Sequence, residues 1–295
     1  MRYNAGEIIT AMITPFKKDL SVDFEALEKL VNHLIATGTD AILVAGTTGE
    51  TPTLTHEEER EIFKFVKKVV DGRVKIIIGA GSNSTATAVE SSIKAKELGA
   101  DAILSVVPYY NKPSQKGMYA HFSAIAKAVD LPIILYNIPG RTGVNMLPST
   151  IAKLATEFKN IVAVKQSNAD LDLISDIRSM CPDDFAIYSG DDSLTIPMMS
   201  LGAHGVISVA SHVVGKQMKE MISSFKKGDN SKALKIHLEL YPLFKKLFMA
   251  PNPVPVKATL AHIGIINEDV RQPLVTLDEA EKKELFSVVD NYSLK

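Results

Sequence analysis

The stretch VKIIIGAGSNSTATAVESSIKAKELGADAILSVVP (residues 74–108) contains one complete repeat of a pattern that runs along the chain. It consists of an apolar run (74–80), a polar turn that ends in Ser84, a segment with helical spacing (85–98) and a second apolar run (101–108). Serine is a common capping residue at a helix N-terminus. A strand, a helix and a strand in this order predict a βαβ unit with parallel strands.

The same alternation extends in both directions along the chain. Eight short β-rich runs occur, at 7–14, 40–46, 74–80, 101–108, 131–137, 160–166, 185–190 and 205–210. Helical segments follow them, for example 24–35, 57–70 and 85–98, and several begin after a residue suited to capping, such as Thr55, Ser84 or Asp192. Continuous apolar runs indicate strands that are covered on both faces. Eight such units predict an α/β protein with a closed (β/α)8 TIM barrel.

An open, doubly wound sheet is the main alternative to the barrel. That fold favours a glycine-rich phosphate turn after the first strand, whereas residues 14–23 read TPFKKDLSVD. After about Gly228 the strand signal stops, and helical segments follow at 231–249, 256–266 and 277–292. We therefore expect a catalytic barrel over residues 1–228 and a C-terminal helical appendage over 229–295 that packs onto it.

Charge and cysteine content exclude several functional classes. The 33 basic and 34 acidic residues are dispersed and give a net charge of −1, so no surface for nucleic acid or a charged membrane is expected. Cys181 is the only cysteine, which excludes an internal disulfide and a cysteine-built zinc site and favours a reducing compartment. Neither a signal peptide nor a membrane span is evident, so we expect a cytoplasmic protein.

The ends of the strands are where a barrel of this type places its catalytic groups. Lys165 follows the apolar run 161–164, and three interpretations are open: a lysine that extends into solvent, a fixed cation for an anionic substrate, or a Schiff-base nucleophile. The third requires a neutral amine, which apolar surroundings favour. Tyr136 ends the preceding strand and could exchange protons beside that amine, or it could simply cover the core.

Two further turns carry groups that could bind carboxylates. Thr47 and Thr48 lie in the turn GTTGE (46–50), where hydroxyl and backbone N–H groups suit a small carboxylate, although the turn could also serve only to connect strand and helix. Arg141 follows Tyr136 and suits a second carboxylate, or alternatively an ion pair at a surface. A substrate with one or two carboxylates fits these residues.

Metal and cofactor motifs are missing from the sequence. The seven histidines have no metal-ligand spacing. Asp191 and Asp192 could hold Mg²⁺, but adjacent acidic residues suit a helix N-terminus better. We therefore expect side-chain chemistry with no cofactor and no metal.

A series of motifs resembles the dihydrodipicolinate synthase family, also called 4-hydroxy-tetrahydrodipicolinate synthase, in the same order and over nearly the whole chain. The motifs are GTTGE (46–50), PYYNKPSQ (108–115), YNIPGRTGVN (136–145), IVAVK (161–165), SGDD (189–192), HGVISVA (204–210) and PNPVPVK (251–257). The resemblance implies an aldolase-type mechanism without a cofactor. Pyruvate would form a Schiff base with a lysine, and the resulting enamine would attack L-aspartate 4-semialdehyde in the diaminopimelate route to lysine.

The resemblance also assigns roles to residues of this chain. Lys165 would be the nucleophile and Tyr136 the proton donor and acceptor. Thr47 would link Tyr136 to a second tyrosine, Tyr110, which family members supply from a neighbouring subunit. The family is typically a homotetramer built from two tight dimers, so the expected partners are the two small substrates and further copies of the chain.

The remaining substrate contacts follow from the same resemblance. Thr48 and Ile207 fall at positions that contact pyruvate, Gly190 lies near the site, and Arg141 would receive the carboxylate of the semialdehyde. Sialic acid lyases and sugar-acid aldolases of the same superfamily share the lysine and the tyrosine but act on polyhydroxylated chains, and Arg141 favours the synthase over them. A family member that binds a keto acid without catalysis is a further alternative.

The chain departs from its family at two places. Gln166 and Ser167 follow Lys165 where the family commonly has Glu-Ala, and residues 249–253 (MAPNP) lack an acidic residue often found before Asn-Pro. By strand alternation, the side chain of Gln166 should point away from that of Lys165.

A lysine effector site occurs in some family members. His56, Asn83 and Tyr109 match its pattern, whereas Thr87 replaces an acidic residue and Glu59 replaces a frequent histidine. Without the carboxylate that would pair with the α-ammonium of lysine, the sequence argues against feedback inhibition.

Overall fold

The computed structural model describes residues 2–292 of the 295-residue chain. Its eight β-strands lie in the order of the sequence and form a closed parallel barrel. They are β1 Ile8–Ala11, β2 Ala41–Val44, β3 Lys75–Gly79, β4 Ala102–Val106, β5 Ile133–Asn137, β6 Ile161–Gln166, β7 Ala186–Ser189 and β8 Gly205–Ser208. Each predicted run contains one strand, and the predicted (β/α)8 barrel is confirmed.

Twelve α-helices lie within the described residues. They are α1 Phe24–Ala36, α2 His56–Val70, α3 Thr85–Leu98, α4 Gln115–Ala128, α5 Pro139–Thr142, α6 Pro148–Glu157, α7 Leu171–Met180, α8 Thr195–Ser200, α9 Ser211–Lys226, α10 Asn230–Lys246, α11 Val254–His262 and α12 Glu279–Val289. Short 3-10 helices span Thr47–Gly49, Thr51–Thr53 and Asp192–Leu194. None of the helices within residues 2–292 has the length and apolar character that a membrane span requires.

Side-chain caps fix where two of the helices begin. Thr55 accepts a hydrogen bond from the backbone N–H of Glu58 while the Glu58 carboxylate accepts one from Thr55, which is a complete capping box at α2. Ser84 caps α3 in the predicted manner. Asp192 does not cap a helix. It is the first residue of a 3-10 helix, and Asp191 is the residue that precedes that helix.

Contacts along the chain divide the described residues into two compact units. The first comprises residues 2–7 and Ile76–Ile207, and the second comprises Ile8–Lys75 and residues 208–292. In the first unit, neighbouring strands from β3 to β8 pair in parallel, and most of their residues are buried. The buried strands explain the continuous apolar runs, since both faces of this sheet are covered.

The C-terminal helices lie in the second unit with β1 and β2. Helix α10 packs against α9 and α12, and α11 packs against α9 and α12. The helices therefore share a core with α9, the helix that follows β8. The proposed boundary after residue 228 falls in the turn between α9 and α10, and a separate domain over 229–295 stays a prediction.

Candidate active site

Lys165 lies near the end of β6, where the sheet register aligns it with a tyrosine on each neighbouring strand. Its partner on β5 is Tyr136, and its partner on β7 is Tyr188. Side chains of register partners in adjacent parallel strands point to the same side of the sheet. The register therefore places the amine and both phenol rings on one face.

The amine of Lys165 lies over the ring of Tyr136. Its Nζ is 4.3 Å from the ring centroid, and both residues are only 7% exposed. Among residues 2–292, the amine has no hydrogen-bond or ion-pair partner. The amine is therefore shielded from water and is not paired with a carboxylate within the described residues.

Gly190 lies against the side chain of Lys165. Its N–H donates to the carbonyl of Gln166 over 2.8 Å, which brings the turn after β7 onto the end of β6. A Cβ atom added at Gly190 would lie 3.0 Å from Cε of Lys165 and 1.8 Å from Oγ of Ser167. Glycine is needed here because two other side chains occupy the space of a methyl group.

Ile207 is buried in β8, two residues after Gly205. Gly205 is the register partner of Tyr188, so alternation along the strand places Ile207 on the face that carries Tyr188 and Lys165. The sequence-predicted residues Lys165, Tyr136 and Ile207 thus share one face of the sheet of the first unit.

Arg141 and Tyr110 lie on neighbouring turns that are joined through the backbone. Arg141 belongs to the short helix α5 and is exposed. The N–H of Tyr110 donates to the carbonyl of Thr142 over 3.3 Å. Tyr110 has a left-handed φ of 70° and is 88% exposed. This backbone conformation is uncommon for a large side chain and is often found at functional sites.

Thr47 and Thr48 belong to the second unit. They open the 3-10 helix Thr47–Gly49, whose last carbonyl accepts a 2.7 Å hydrogen bond from the hydroxyl of Thr14. Thr47 is exposed, whereas Thr48 is buried and its Oγ1 accepts from Nδ2 of Asn252 over 2.9 Å. The two hydroxyls therefore differ: that of Thr48 is fixed by the C-terminal segment, and Thr47 is accessible.

A buried ion pair lies directly after this turn. Nζ of Lys257 on α11 is 2.6 Å from Oε1 of Glu50, and the two side chains are 0% and 1% exposed. The second carboxylate oxygen accepts from the backbone N–H of Arg271 over 2.9 Å. Burial lowers the pKa of Lys257, and the Glu50 carboxylate opposes that shift. Glu50 has a left-handed φ of 56°, so the pair holds the turn in a strained conformation.

The acidic residues after β7, Asp191 and Asp192, lie at the start of a 3-10 helix. Asp191 precedes the 3-10 helix Asp192–Leu194, and its carbonyl accepts from the hydroxyl of Ser189 over 2.7 Å. Within the described residues, no group of three or more His, Cys, Asp or Glu side chains is arranged to hold a metal ion.

Comparison with known proteins identifies the family to which this arrangement belongs. A model of the dihydrodipicolinate synthetase family matches residues 4–292. The chain belongs to this family. A 4-hydroxy-tetrahydrodipicolinate synthase from Thermosynechococcus vestitus is 52% identical over 290 residues, which cover 98% of each chain. The predicted family and the predicted enzyme class, a lyase, are confirmed.

Solved structures of family members have the same fold. A dihydrodipicolinate synthase from Bacillus anthracis is 49% identical, covers 98% of this chain and 99% of its own, and has a TM-score of 0.95. A 41% identical structure with a TM-score of 0.96, which covers 98% of this chain and 97% of its own, is described as a monomeric dihydrodipicolinate synthase variant.

The residues that match the lysine effector pattern of this family fall in both units. In the first, Asn83 accepts a 2.9 Å hydrogen bond from Asn111 through its carbonyl, and Tyr109 is 40% exposed. In the second, Nδ1 of His56 lies 3.1 Å from a carboxylate oxygen of Glu59 on the surface of α2. Thr87, at the position where an acidic residue is expected in lysine-inhibited members, offers no carboxylate.

Sequence reasoning assigned no role to four residues that the structure places at these sites: Ser167, Glu50, Asn252 and Lys257. A signal was present for Lys257, because a lysine inside the apolar run 253–260 requires a buried partner. Ser167 gave no such signal, since a serine after a strand is an ordinary residue.

Proposed function

We propose that this member of the family condenses pyruvate with L-aspartate 4-semialdehyde, the 4-hydroxy-tetrahydrodipicolinate synthase reaction of the diaminopimelate route to lysine. The observation that carries the proposal is the buried amine of Lys165, 4.3 Å from the centroid of the Tyr136 ring. A lysine held this way suits Schiff-base formation better than the alternatives, because it is neither solvated nor paired with a carboxylate.

The steps follow from the chemistry of an amine and a keto acid. Nζ of Lys165 adds to C2 of pyruvate, and loss of water gives an imine. Loss of a proton from C3 gives an enamine, whose C3 attacks the aldehyde carbon of the semialdehyde. The alkoxide takes up a proton. The amino nitrogen of the semialdehyde then adds to the imine carbon, closes the ring and releases the amine of Lys165.

Tyr136 is proposed as the proton donor and acceptor for these steps, because its phenol belongs to the residue aligned with Lys165. Thr47 and Tyr110 are proposed to pass protons between Tyr136 and solvent. This assignment rests on the family resemblance, and the exposure of both residues in the single chain agrees with it.

Thr48 and Ile207 are proposed to contact pyruvate, and Arg141 to bind a carboxylate. The hydroxyl of Thr48 is held by Asn252 and can donate to a carboxylate oxygen while its own oxygen accepts. Arg141 is exposed on α5 and is proposed to bind the carboxylate of the semialdehyde. Gly190 is proposed to leave room beside Lys165 for the adduct.

We propose a homotetramer of two tight dimers, in which a partner subunit covers the ring of Tyr110. The 88% exposure of this tyrosine and its strained backbone support the proposal. Size-exclusion chromatography with light scattering tests it. A cytoplasmic location is proposed with the enzyme, in agreement with the single cysteine, Cys181.

Lysine is proposed to bind weakly or not at all at His56, Asn83 and Tyr109, because Thr87 supplies no carboxylate for its α-ammonium group. Initial rates measured with millimolar lysine test this directly. Strong inhibition would mean that another residue has replaced the missing carboxylate.

Borohydride reduction tests the central proposal. Incubation with pyruvate and borohydride, followed by peptide mass mapping, should add a reduced pyruvate unit to Lys165. Lys165→Arg should remain folded, gain no adduct and lose activity. Reduction of a different lysine, or no adduct on a folded enzyme that turns over substrate, would refute the assignment.

Assays with alternative substrates distinguish the synthase from other pyruvate-dependent enzymes of the superfamily. Steady-state assays are run with pyruvate plus aspartate semialdehyde, with sialic acid and with 2-keto-3-deoxygluconate. Only the mixture of pyruvate and aspartate semialdehyde should be turned over. Adduct formation without turnover of any of the three would indicate a keto acid-binding protein that is not an enzyme.

A further inference from the structure

Ser167 carries a buried hydroxyl that has no partner in the described part of the chain. Among residues 2–292, its Oγ is shielded from solvent and makes no hydrogen bond. An unpartnered buried hydroxyl destabilises a protein, because it loses its hydrogen bonds to water without replacement. Such groups are rare, and each needs an explanation such as a bound ligand.

The hydroxyl lies beside the nucleophile. The N–H of Ser167 donates to the carbonyl of Asn137 over 3.0 Å, so the extended pairing of β6 with β5 continues one residue past Gln166. Alternation then places Ser167 on the same face as Lys165, two residues earlier. A Cβ atom added at Gly190 would lie within 3.0 Å of both Oγ of Ser167 and Cε of Lys165, so these two side-chain atoms lie close together.

The surroundings of the Lys165 amine also indicate that Ser167 binds substrate. Nζ of Lys165 lies over the ring of Tyr136, and the space beside Gly190 is filled by Oγ of Ser167 and Cε of Lys165. Ser167 therefore provides a hydroxyl donor beside the side chain of Lys165. A keto acid bound to Nζ would bring its carboxylate to this region, and before water is lost the carbinolamine would also carry the hydroxyl formed from the carbonyl oxygen.

We propose that Ser167 is a further substrate-binding residue, whose hydroxyl donates a hydrogen bond to an oxygen of the keto acid adduct on Lys165. This inference rests on the proposed Schiff-base function. The hydroxyl makes this contact only when the adduct is present, which explains why it has no partner in the free protein. Gln166, which is also buried and unpartnered, points to the opposite face and is not part of this contact.

Ser167→Ala tests the proposal against a matched control. Ser105 also carries a fully buried, unpartnered hydroxyl, but it lies on β4 in register with Leu135, whose neighbour Tyr136 faces the other side. Ser167→Ala should lower the kcat/KM for pyruvate and the rate of borohydride-trapped adduct formation about tenfold, whereas Ser105→Ala should leave both unchanged. A tenfold change corresponds to about 1.4 kcal/mol.

Thermal unfolding with and without pyruvate distinguishes substrate binding from a purely structural role, because only a binding residue changes the increase in Tm that pyruvate gives. Free Ser167→Ala should be at least as stable as the wild type, because the substitution removes an unpaired hydroxyl. The increase in Tm that pyruvate gives should become smaller in this variant only. Ser167→Thr, which keeps the hydroxyl, should recover adduct formation at least in part.

The failures of the two proposals are distinguishable. A wild-type enzyme that forms no adduct on Lys165 would refute the proposed function. A wild type that forms the adduct normally, with Ser167→Ala equal to it in trapping rate and in stabilisation by pyruvate, would overturn the role of Ser167 alone. Loss of stability in free Ser167→Ala, without any change in the response to pyruvate, would make the residue structural.

Discussion

Lys257 and Glu50 form an ion pair of 2.6 Å whose side chains are both withdrawn from solvent, although they are 207 positions apart in the sequence. The pair joins helix α11 to the end of the turn that holds Thr47 and Thr48. Nζ of Lys257 also lies 4.2 Å from the centroid of the Phe16 ring. The position of the two threonines therefore depends on the C-terminal helices.

Lys257→Met should destabilise the protein by about 3 to 5 kcal/mol, because it leaves the carboxylate of Glu50 buried without its cation. Denaturant unfolding measures the change. The double variant Lys257→Met with Glu50→Gln should recover part of the loss, since no buried charge remains. Lys29→Met removes an exposed pair with Glu25 and should have little effect. Equal losses in the single and double variants would contradict this account.

Tyr136→Phe should lower kcat by about 10² to 10⁴, the usual range for a group that transfers protons. The ring beneath the amine is retained, so a pyruvate adduct on Lys165 should still be trapped, though more slowly. Steady-state kinetics and adduct mapping check both parts. Undiminished kcat would assign Tyr136 to covering the core.

Arg141→Ala should reduce kcat/KM for the semialdehyde about 10- to 100-fold, because hydrogen bonds to a charged carboxylate are stronger than neutral ones. The rate of adduct formation from pyruvate alone should change little. Arg60→Ala, on the exposed surface of α2, serves as the control and should alter neither. Equal losses for both substrates would make the role of Arg141 structural.

Gly190→Ala should abolish adduct formation, because the new methyl group would lie 1.8 Å from Oγ of Ser167 and 3.0 Å from Cε of Lys165. Combining it with Ser167→Gly removes the closer contact and should restore part of the trapping rate. Gly140→Ala meets no atom within 4 Å and should have no effect. A Gly190→Ala variant with normal trapping would show that this turn moves readily.

Stability should fall as the pH is lowered from about 6.5 to about 4, because burial lowers the pKa of His212 to about 4. The neutral ring donates from Nδ1 to the carbonyl of Val209 and accepts from the N–H of Ile13 at Nε2. The unfolded chain binds the proton first, so acid favours unfolding by up to about 3 kcal/mol for this residue.

Urea unfolding between pH 4 and pH 7 measures this dependence. The variant His212→Gln carries no titrating group at this position and should show a shallower slope. An unchanged slope would assign the acid sensitivity to other groups, such as His121, whose pKa burial also lowers to about 4.

The number, order and approximate bounds of the strands can be read from the sequence, because burial on both faces leaves continuous apolar runs that alternate with helical spacing. It also predicted Lys165 and Tyr136 as candidate catalytic residues, since a strand that ends in a polar residue shows where the sheet stops. Motifs quoted in order along the chain identified the family. These signals come from the order of residues along the chain and need no knowledge of which distant residues meet.

Which distant groups meet depends on the tertiary structure. The register between β5 and β6 placed the amine over the phenol ring, and the turn after β7 brought Gly190 against Ser167. The pairing of Lys257 with Glu50 also requires the fold. A hydroxyl or a lysine looks the same in a sequence whether it is solvated or buried, because its chemistry depends on neighbours that are supplied by other strands and helices.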